Sequence, residues 1–383
     1  MKKKKKIIIH RFHAMDYPLV LTTLLLSLFG IVMAFSASYY YSISKFGSPY
    51  HLLISNLMWF GLGWFALFVF SRIDYHFLRR FSVLAIWIGM ALLVLVLLLR
   101  NTPLTSTINN ATRWFKIGPV TIMPSELFKA ALILFFAAWF SAKPEAMKDI
   151  KSVLIAVGIL VVAAFLIYKQ PNLSTAMIVV GIGFVMMLVA GLTPWALFAG
   201  LGCAALIFAY LYFIDDGYMH TRLIVAIDPW ADSVGEGYQV VQSLLALGSG
   251  GLKGVGLGKS VQKTLYLPEP QSDFILPIIG EELGLIGIVI LLILYAVLIG
   301  RMISVALRAK DAFGCFLATG TAALIAIHVI LNILVVTASF PPTGVFLPFM
   351  SQGGNATGII LALIGIVLNV SRQAYDVPEE DKE

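Results

Sequence analysis

Long apolar runs separated by short polar stretches organise this sequence. A helix that crosses a bilayer needs roughly 20 apolar residues. On that measure the pattern predicts spans near 17–37, 51–71, 81–99, 125–142, 153–168, 173–190, 194–214, 274–300, 312–338 and 354–371. Ten spans put both termini on the same side. The fifth and sixth are divided only by Lys169 to Asn172, so the boundary between them is soft. The first run is about 21 residues, longer than the roughly 7–15 of a signal-peptide core. It is therefore read as a retained span, although Ala34-Phe35-Ser36-Ala37 has the small-residue form of a cleavage site. The expected architecture is an all-α polytopic membrane protein of about ten transmembrane helices. One large external loop, 215–273, joins helices 7 and 8. Residues 1–16 form a basic cytoplasmic tail, 17–371 the transmembrane domain, and 372–383 a second cytoplasmic tail.

Composition agrees with the pattern. The 383 residues are 60% hydrophobic and 12% charged, with mean hydropathy +0.92, whereas soluble domains average about 45–50% and about 25%. A soluble enzyme, a nucleic-acid binder and a disordered chain are all excluded. The formal charge of +7 is concentrated in Lys2 to Lys6 and Arg11, a tail that faces a membrane surface and not a nucleic acid. Counted by loop, 17 Lys and Arg fall on the side of the termini and 9 on the other, which makes the termini cytoplasmic. Cys203 and Cys315 both lie in apolar runs and can build neither a disulfide framework nor a zinc site.

The chemistry-bearing residues cluster toward the outer side. The fourth span opens Pro124-Ser125-Glu126-Leu127-Phe128-Lys129. Glu126 and Lys129 are three apart, so they share a helix face and can pair. They read either as a structural ion pair or as half of an outward-opening polar site offering Lys129 to an anion. The eighth span opens Ser272-Asp273-Phe274 and carries Glu281 and Glu282, which point about 100° apart. Asp273 is either a helix N-cap or a functional acid. Pro277 is comfortable only in a first helical turn, so the helix is expected to begin near it. The glycines from Gly248 to Gly258 serve either turns or close approach to an anionic ligand. They are not a Walker motif, because Gly258-Lys259-Ser260 lacks the strand-to-helix context. His328, in the ninth span, reads as a hydrogen-bonded core residue and not a ligand. No His, Asp and Glu cluster has metal-site spacing, so no metal ligands are assigned.

Taken in order, these segments resemble the SEDS family of polytopic peptidoglycan polymerases, the FtsW, RodA and SpoVE proteins. The resemblance covers roughly Asp16 to Arg372. It is carried by Gly30-Ile-Val-Met-Ala-Phe-Ser-Ala-Ser38, Ala111-Thr-Arg-Trp114, Pro124-Ser-Glu-Leu-Phe-Lys129, Gly237-Tyr-Gln239 and Ser249-Gly-Gly-Leu-Lys-Gly-Val-Gly256. It continues through Tyr266-Leu-Pro-Glu269, Asp273-Phe274, Gly280-Glu-Glu-Leu-Gly284 and Pro342-Thr-Gly-Val-Phe-Leu-Pro348. The opening and the Gly-Glu-Glu-Leu-Gly stretch look closer to the FtsW branch. Three positions depart from the family pattern: Asn172 where Asp is usual, Gln352 where Tyr is usual, and Pro277 where a small or branched residue is typical.

The resemblance implies glycosyl transfer from lipid II, a disaccharide-peptide on undecaprenyl pyrophosphate, into β-1,4-linked glycan with inversion. By the same resemblance Asp273 is the essential acid and general base. Glu126 and Lys129 line its cavity, and Arg113 with loop positions Lys263 and Gln239 bind substrate. The resemblance implies no certain cofactor and leaves a divalent cation, Mg or Mn, open. Implied partners are a class B penicillin-binding protein and, for an FtsW role, FtsQ, FtsL and FtsB homologues at the division septum. The implied location is the bacterial cytoplasmic membrane. A lipid II flippase, a RodA-type elongation polymerase and a non-catalytic scaffold are the alternatives. A flippase needs polar groups across both leaflets, and a scaffold has no use for acids and a lysine at membrane depth.

Overall fold

The computed structural model describes residues 15–100, 102–108, 111–118, 120–200, 202, 222, 225–235 and 237–374. Its helices are α1 (Tyr17–Phe46), α2 (His51–Arg72), α3 (Tyr75–Arg79), α4 (Ser82–Leu98), α5 (Pro124–Ala142), α6 (Ile150–Tyr168), α7 (Leu173–Val189), α8 (Tyr238–Gly250), α9 (Ile275–Leu307), α10 (Ala312–Val336) and α11 (Asn355–Arg372). Seven of these are long and apolar enough to cross a membrane, and α4 and α7 are shorter apolar helices. Together they occupy nine of the ten expected positions. Of the span expected at 194–214, residues 194–200 are helical and most of the remainder lies outside the described residues. On α4 and α6, Trp87, Leu98, Leu154, Val161 and Phe165 are exposed, the arrangement a helix adopts when hydrocarbon is its solvent. The protein is a multi-pass membrane protein.

Local chemistry sets the helix ends. Asp16 accepts a hydrogen bond from Leu19 N (3.1 Å) ahead of Pro18, and Gly47 closes α1 at φ 71. Asn172 accepts from Thr175 N at 3.3 Å and caps α7. An asparagine caps as well as an aspartate, so this departure from the family pattern costs the helix nothing. Pro277 sits in the first turn of α9, where its missing N–H is harmless. The helix begins two residues before it, at Ile275, with Phe274 in the cap position and no side-chain capping bond. The helix thus starts near Pro277, as expected, with Asp273 in the turn just outside it, and of the two readings of Asp273 the N-cap is not the one adopted.

A small sheet is added to the all-α expectation. Strands β1 (Thr105–Ile108), β2 (Ala111–Ile117) and β3 (Val120–Ile122) form an antiparallel meander, with Phe115 paired to both Thr105 and Ile122. The meander leads directly into α5. Contacts near Met123, Lys129, Asp273, Asn332 and Asn355 place the starts of α5, α9 and α11 and the end of α10 at one end of the bundle. At the other end Asp16 receives Arg301 through Nε (3.1 Å) and Nη2 (2.5 Å), while Asp311 receives the Tyr75 hydroxyl at 2.7 Å.

Helix α9 is interrupted at Gly284, which has φ 67 and ψ −169. The break removes i to i−4 hydrogen bonds inside an apolar environment, where an unsatisfied backbone group is costly. The glycine-rich segment after α8 replaces them. Val255 N and Gly256 N donate to the Glu281 and Glu282 carbonyls at 2.9 and 3.0 Å. In return Leu285 N and Ile286 N donate to the Gly251 and Leu252 carbonyls at 2.9 and 3.2 Å. The glycines therefore allow one backbone to approach another. Gly254 has φ 79, and a Cβ there would drive into the Glu282 carbonyl. Gly254→Ala is accordingly expected to cost more than about 2 kcal/mol, from positive-φ strain plus displacement of the clamp. Gly248, where a Cβ meets nothing within 4 Å, is the control. Thermal unfolding in detergent should show a clear drop for the first substitution and none for Gly248→Ala.

Candidate active site

Asp273 closes the loop that leads into α9. It is partly buried, and among the described residues no hydrogen bond holds its carboxylate. Its position is fixed through its backbone instead. Asn332, fully buried on α10, donates through Nδ2 to the Asp273 carbonyl at 2.9 Å and to the Val345 carbonyl at 2.6 Å. The Asp273 carboxylate faces Gly344, where a Cβ would come within 2.6 Å of Oδ2. Burial pushes the Asp273 carboxyl up from the ordinary aspartate value to about 6, and the negative charge of Glu269 adds to the rise. Arg113 and Arg222 pull in the opposite direction. Removing a carboxylate from water disfavours its ionised form, and a second carboxylate nearby does the same. The result is a carboxylate poised near neutrality.

The two arginines act on this acid through their charge, from different parts of the chain. Arg113 lies on β2 and is anchored by Nε to the Gln170 carbonyl at 3.1 Å and by Nη2 to the Pro171 carbonyl. Arg222 donates to the Pro342 carbonyl. Glu269 holds a left-handed backbone, φ 48, with its carboxylate receiving Gln271 Nε2 at 2.9 Å and the Tyr41 hydroxyl at 3.4 Å. A non-glycine residue in that region costs about 1–3 kcal/mol and persists only where surroundings enforce it.

Glu126 and Lys129 form the other half. They pair at 2.8 Å and are both almost fully buried. Lys129 Nζ also lies 3.0 Å from His328 Nε2 and 5.3 Å from the centre of the Phe346 ring, while His328 Nδ1 lies 3.3 Å from the Phe346 carbonyl. Segment 342–348 is therefore common to both halves: Gly344 meets Asp273, Val345 meets Asn332, and Phe346 meets Lys129 and His328. His328 and Asn332 are four apart on α10, so they share a face. The sequence supplied His328 as a buried, hydrogen-bonded residue, but not its partner.

The remaining expected site residues are placed differently. Lys263 is buried in a separate ion pair, with Nζ 2.6 Å from Glu282 Oε1 and 2.9 Å from Ser36 Oγ on α1. Gln239 donates to the Pro268 carbonyl at 3.2 Å, bracing the turn that carries Glu269. Glu281 accepts from Ser260 Oγ, Val261 N (2.9 Å) and Gln262 N (3.3 Å). Both glutamates of α9 thus bind the chain's own loop. Gln352 is likewise structural, donating to the Leu52 carbonyl at 3.3 Å and to Gln271 O through its backbone at 2.8 Å.

The FtsW/RodA/SpoVE family, described as cell cycle proteins, matches residues 17–376. The chain is 41% identical over 359 residues to stage V sporulation protein E of Bacillus subtilis (strain 168), covering 93% of this chain and 97% of that protein. It is 35% identical over 363 residues to a probable peptidoglycan glycosyltransferase FtsW of Trichlorobacter lovleyi, covering 94% of each. Among solved structures it is similar to a chain from a peptidoglycan synthase complex, reported for its coordination of polymerization and crosslinking, with TM-score 0.77 and 28% identity over 95% of this chain and 99% of that one. It is also similar to the rod shape determining protein RodA of Thermus thermophilus, with TM-score 0.70 and 26% identity over the same shares.

Proposed function

This chain belongs to the FtsW/RodA/SpoVE family, and from that premise we propose that it is a peptidoglycan glycosyltransferase that polymerises lipid II at the outer face of the cytoplasmic membrane. The observation that carries the reading is the partly buried carboxylate of Asp273. It has no hydrogen-bond partner among the described residues, its pKa is pushed up to about 6, and the charges of Arg113 and Arg222 act on it. In the proposed reaction the acceptor sugar's 4-hydroxyl attacks the anomeric carbon of the donor. The bond from that carbon to the pyrophosphate oxygen breaks, and Asp273 takes the hydroxyl proton. Inversion at the anomeric carbon gives the β-1,4 linkage. Undecaprenyl pyrophosphate leaves carrying added negative charge, which Lys129 and Arg113 stabilise. A Mg or Mn ion is the alternative use of this acid: such ions take one or two carboxylates plus phosphate oxygens, and an Asp273 that held one would not be the base. Asp273 and Glu269 would hold the ion, and it would neutralise charge on the pyrophosphate. Lys263 and Gln239 act in this reading by bracing the loop, because their polar groups are spent on Glu282, Ser36 and Pro268. The direct test is purified protein given labelled lipid II: glycan chains are expected, and translocation of lipid II without polymer would reject the reading.

The pH dependence of kcat/KM is a second check. A base must be ionised to accept a proton, so a carboxyl at about 6 loses activity on the acid side. Turnover should be half-maximal near pH 6 and fall about tenfold per unit below it. Glu269→Gln removes the charge that raises Asp273, so the acid limb should move to lower pH. An unshifted limb would disconnect Glu269 from the acid.

The sidedness follows the same proposal. Residues 1–16 and 372–383 and the turns at 72–80, 143–149 and 308–311 are cytoplasmic, and 215–273 is external. A membrane-impermeant thiol reagent added outside intact cells should label Val234→Cys, which is 89% exposed, and miss Lys148→Cys. The reverse pattern would remove the site from the leaflet where lipid II is delivered. The FtsW-named relatives favour a septal role, with a class B penicillin-binding protein supplying crosslinking. Similarity to a chain of a synthase complex that couples the two activities supports such a partner.

A further inference from the structure

We propose that His328 is a positioning residue for Lys129, setting where the ammonium meets the phosphate oxygens of the substrate; the inference rests on the glycosyltransferase reading above. An ammonium has three N–H donors and no acceptor. Glu126 Oε2 at 2.8 Å and His328 Nε2 at 3.0 Å take two of them, and the Phe346 ring lies 5.3 Å from the nitrogen. Among the described residues the third donor has no acceptor, which leaves it for an incoming oxygen. For His328 to accept from an ammonium, Nε2 must be unprotonated. The Phe346 carbonyl, 3.3 Å from Nδ1, selects that tautomer by taking the Nδ1 proton. The same segment runs through Val345, whose carbonyl Asn332 ties to the Asp273 carbonyl. His328 thus registers the lysine against the piece of chain that also registers the acid. Glu126 alone, on the same helix as Lys129, cannot do this. An i,i+3 partner moves with its own helix and carries no information about α10 or segment 342–348.

A purely space-filling histidine makes different predictions. His328→Leu keeps much of the volume but withdraws one acceptor from a buried cation. His328→Gln retains an acceptor and a donor at similar reach, and His328→Asn carries the same groups one methylene shorter. With labelled lipid II, His328→Leu should lower kcat at least about tenfold with KM within about twofold, because a misplaced ammonium fails at the developing charge. His328→Gln should stay within about threefold of the parent. Should His328→Leu not fold, the comparison passes to Gln against Asn, with Gln active and Asn reduced at least about tenfold. A binding readout independent of turnover is the rise in melting temperature produced by undecaprenyl pyrophosphate. It should survive in His328→Gln and shrink in His328→Leu and His328→Asn. Failure of the parent to make glycan would count against the proposed function, and the ligand-induced melting shift would still decide the role of His328. Equal behaviour of Gln and Asn, or a His328→Leu protein indistinguishable from the parent, would overturn the assignment.

Discussion

Asp273→Asn should reduce glycan synthesis by at least about 10²–10⁴-fold, the usual range for loss of a general base, with expression and melting temperature unchanged. Asparagine keeps the shape and hydrogen-bonding capacity of the side chain but cannot take a proton from a sugar hydroxyl. The structure sharpens the comparison, because the cap position of α9 is held by Phe274 and no side-chain capping bond is made. Asp273 is anchored by its carbonyl through Asn332, a contact that Asn at 273 leaves intact. No structural loss is expected to accompany the chemical one. Lipid II polymerisation measured beside thermal unfolding separates the two. A near-parental rate would take Asp273 out of the mechanism, and Glu269 would be the next acid to test. An inactive, folded Asn variant whose residual rate responds to added Mg or Mn would assign the carboxylate to a metal instead.

Exchanging the charges of Glu126 and Lys129 should not restore function. Breaking a buried pair by removing one partner costs about 3–5 kcal/mol, so each single change is expected to lower both stability and activity. The double exchange restores attraction between the two positions, but their surroundings are unequal. Position 129 faces His328 Nε2 at 3.0 Å and the Phe346 ring, an acceptor and an electron-rich surface that suit a cation. A carboxylate there would meet both unfavourably. Polymerisation is expected to stay at least about 10²-fold down in the exchanged protein, with its melting temperature partly recovered. Recovery of activity together with stability would make the pair purely structural.

Helix positions could be read from the sequence because their causes are local. Pro124 with Glu126, Asp149, Asn172 and Asp311 all mark helix starts within a turn of their own positions, and apolar run length does the rest. Features set by distant partners could not be read that way. Gly284 sits in an apolar run where one glycine is ordinarily tolerated in a straight helix, and its positive φ depends on the 251–256 backbone crossing beside it. His328 and Lys129 are 199 positions apart, so only the fold brings them together. Lys263 carries the charge expected of a pyrophosphate ligand. A positive charge does not reveal whether its anion comes from the substrate or from Glu282 of the same chain. The 105–122 meander has no clear local signature, because its strands are short and lie between two long apolar runs. Asp273 and Glu126 are legible as candidates from residue type and position and Arg113 only through the family resemblance, whereas the wall of segment 342–348 between them exists only in the fold.

The interruption at Gly284 also bears on how the protein is made. A ribosome delivers the chain from the N-terminus, so residues 251–256 leave it before the helix they complete. The carbonyls of Glu281 and Glu282 and the amides of Leu285 and Ile286 therefore arrive at a bilayer where their counterparts already exist. Were the order reversed, four backbone groups would await partners in or beside lipid, each costing several kcal/mol. A circular permutant that moves 238–258 behind α9 would present that reversed order. Its yield of inserted protein, compared with the yield of a permutant cut elsewhere, reports how much membrane assembly depends on the sequence of emergence.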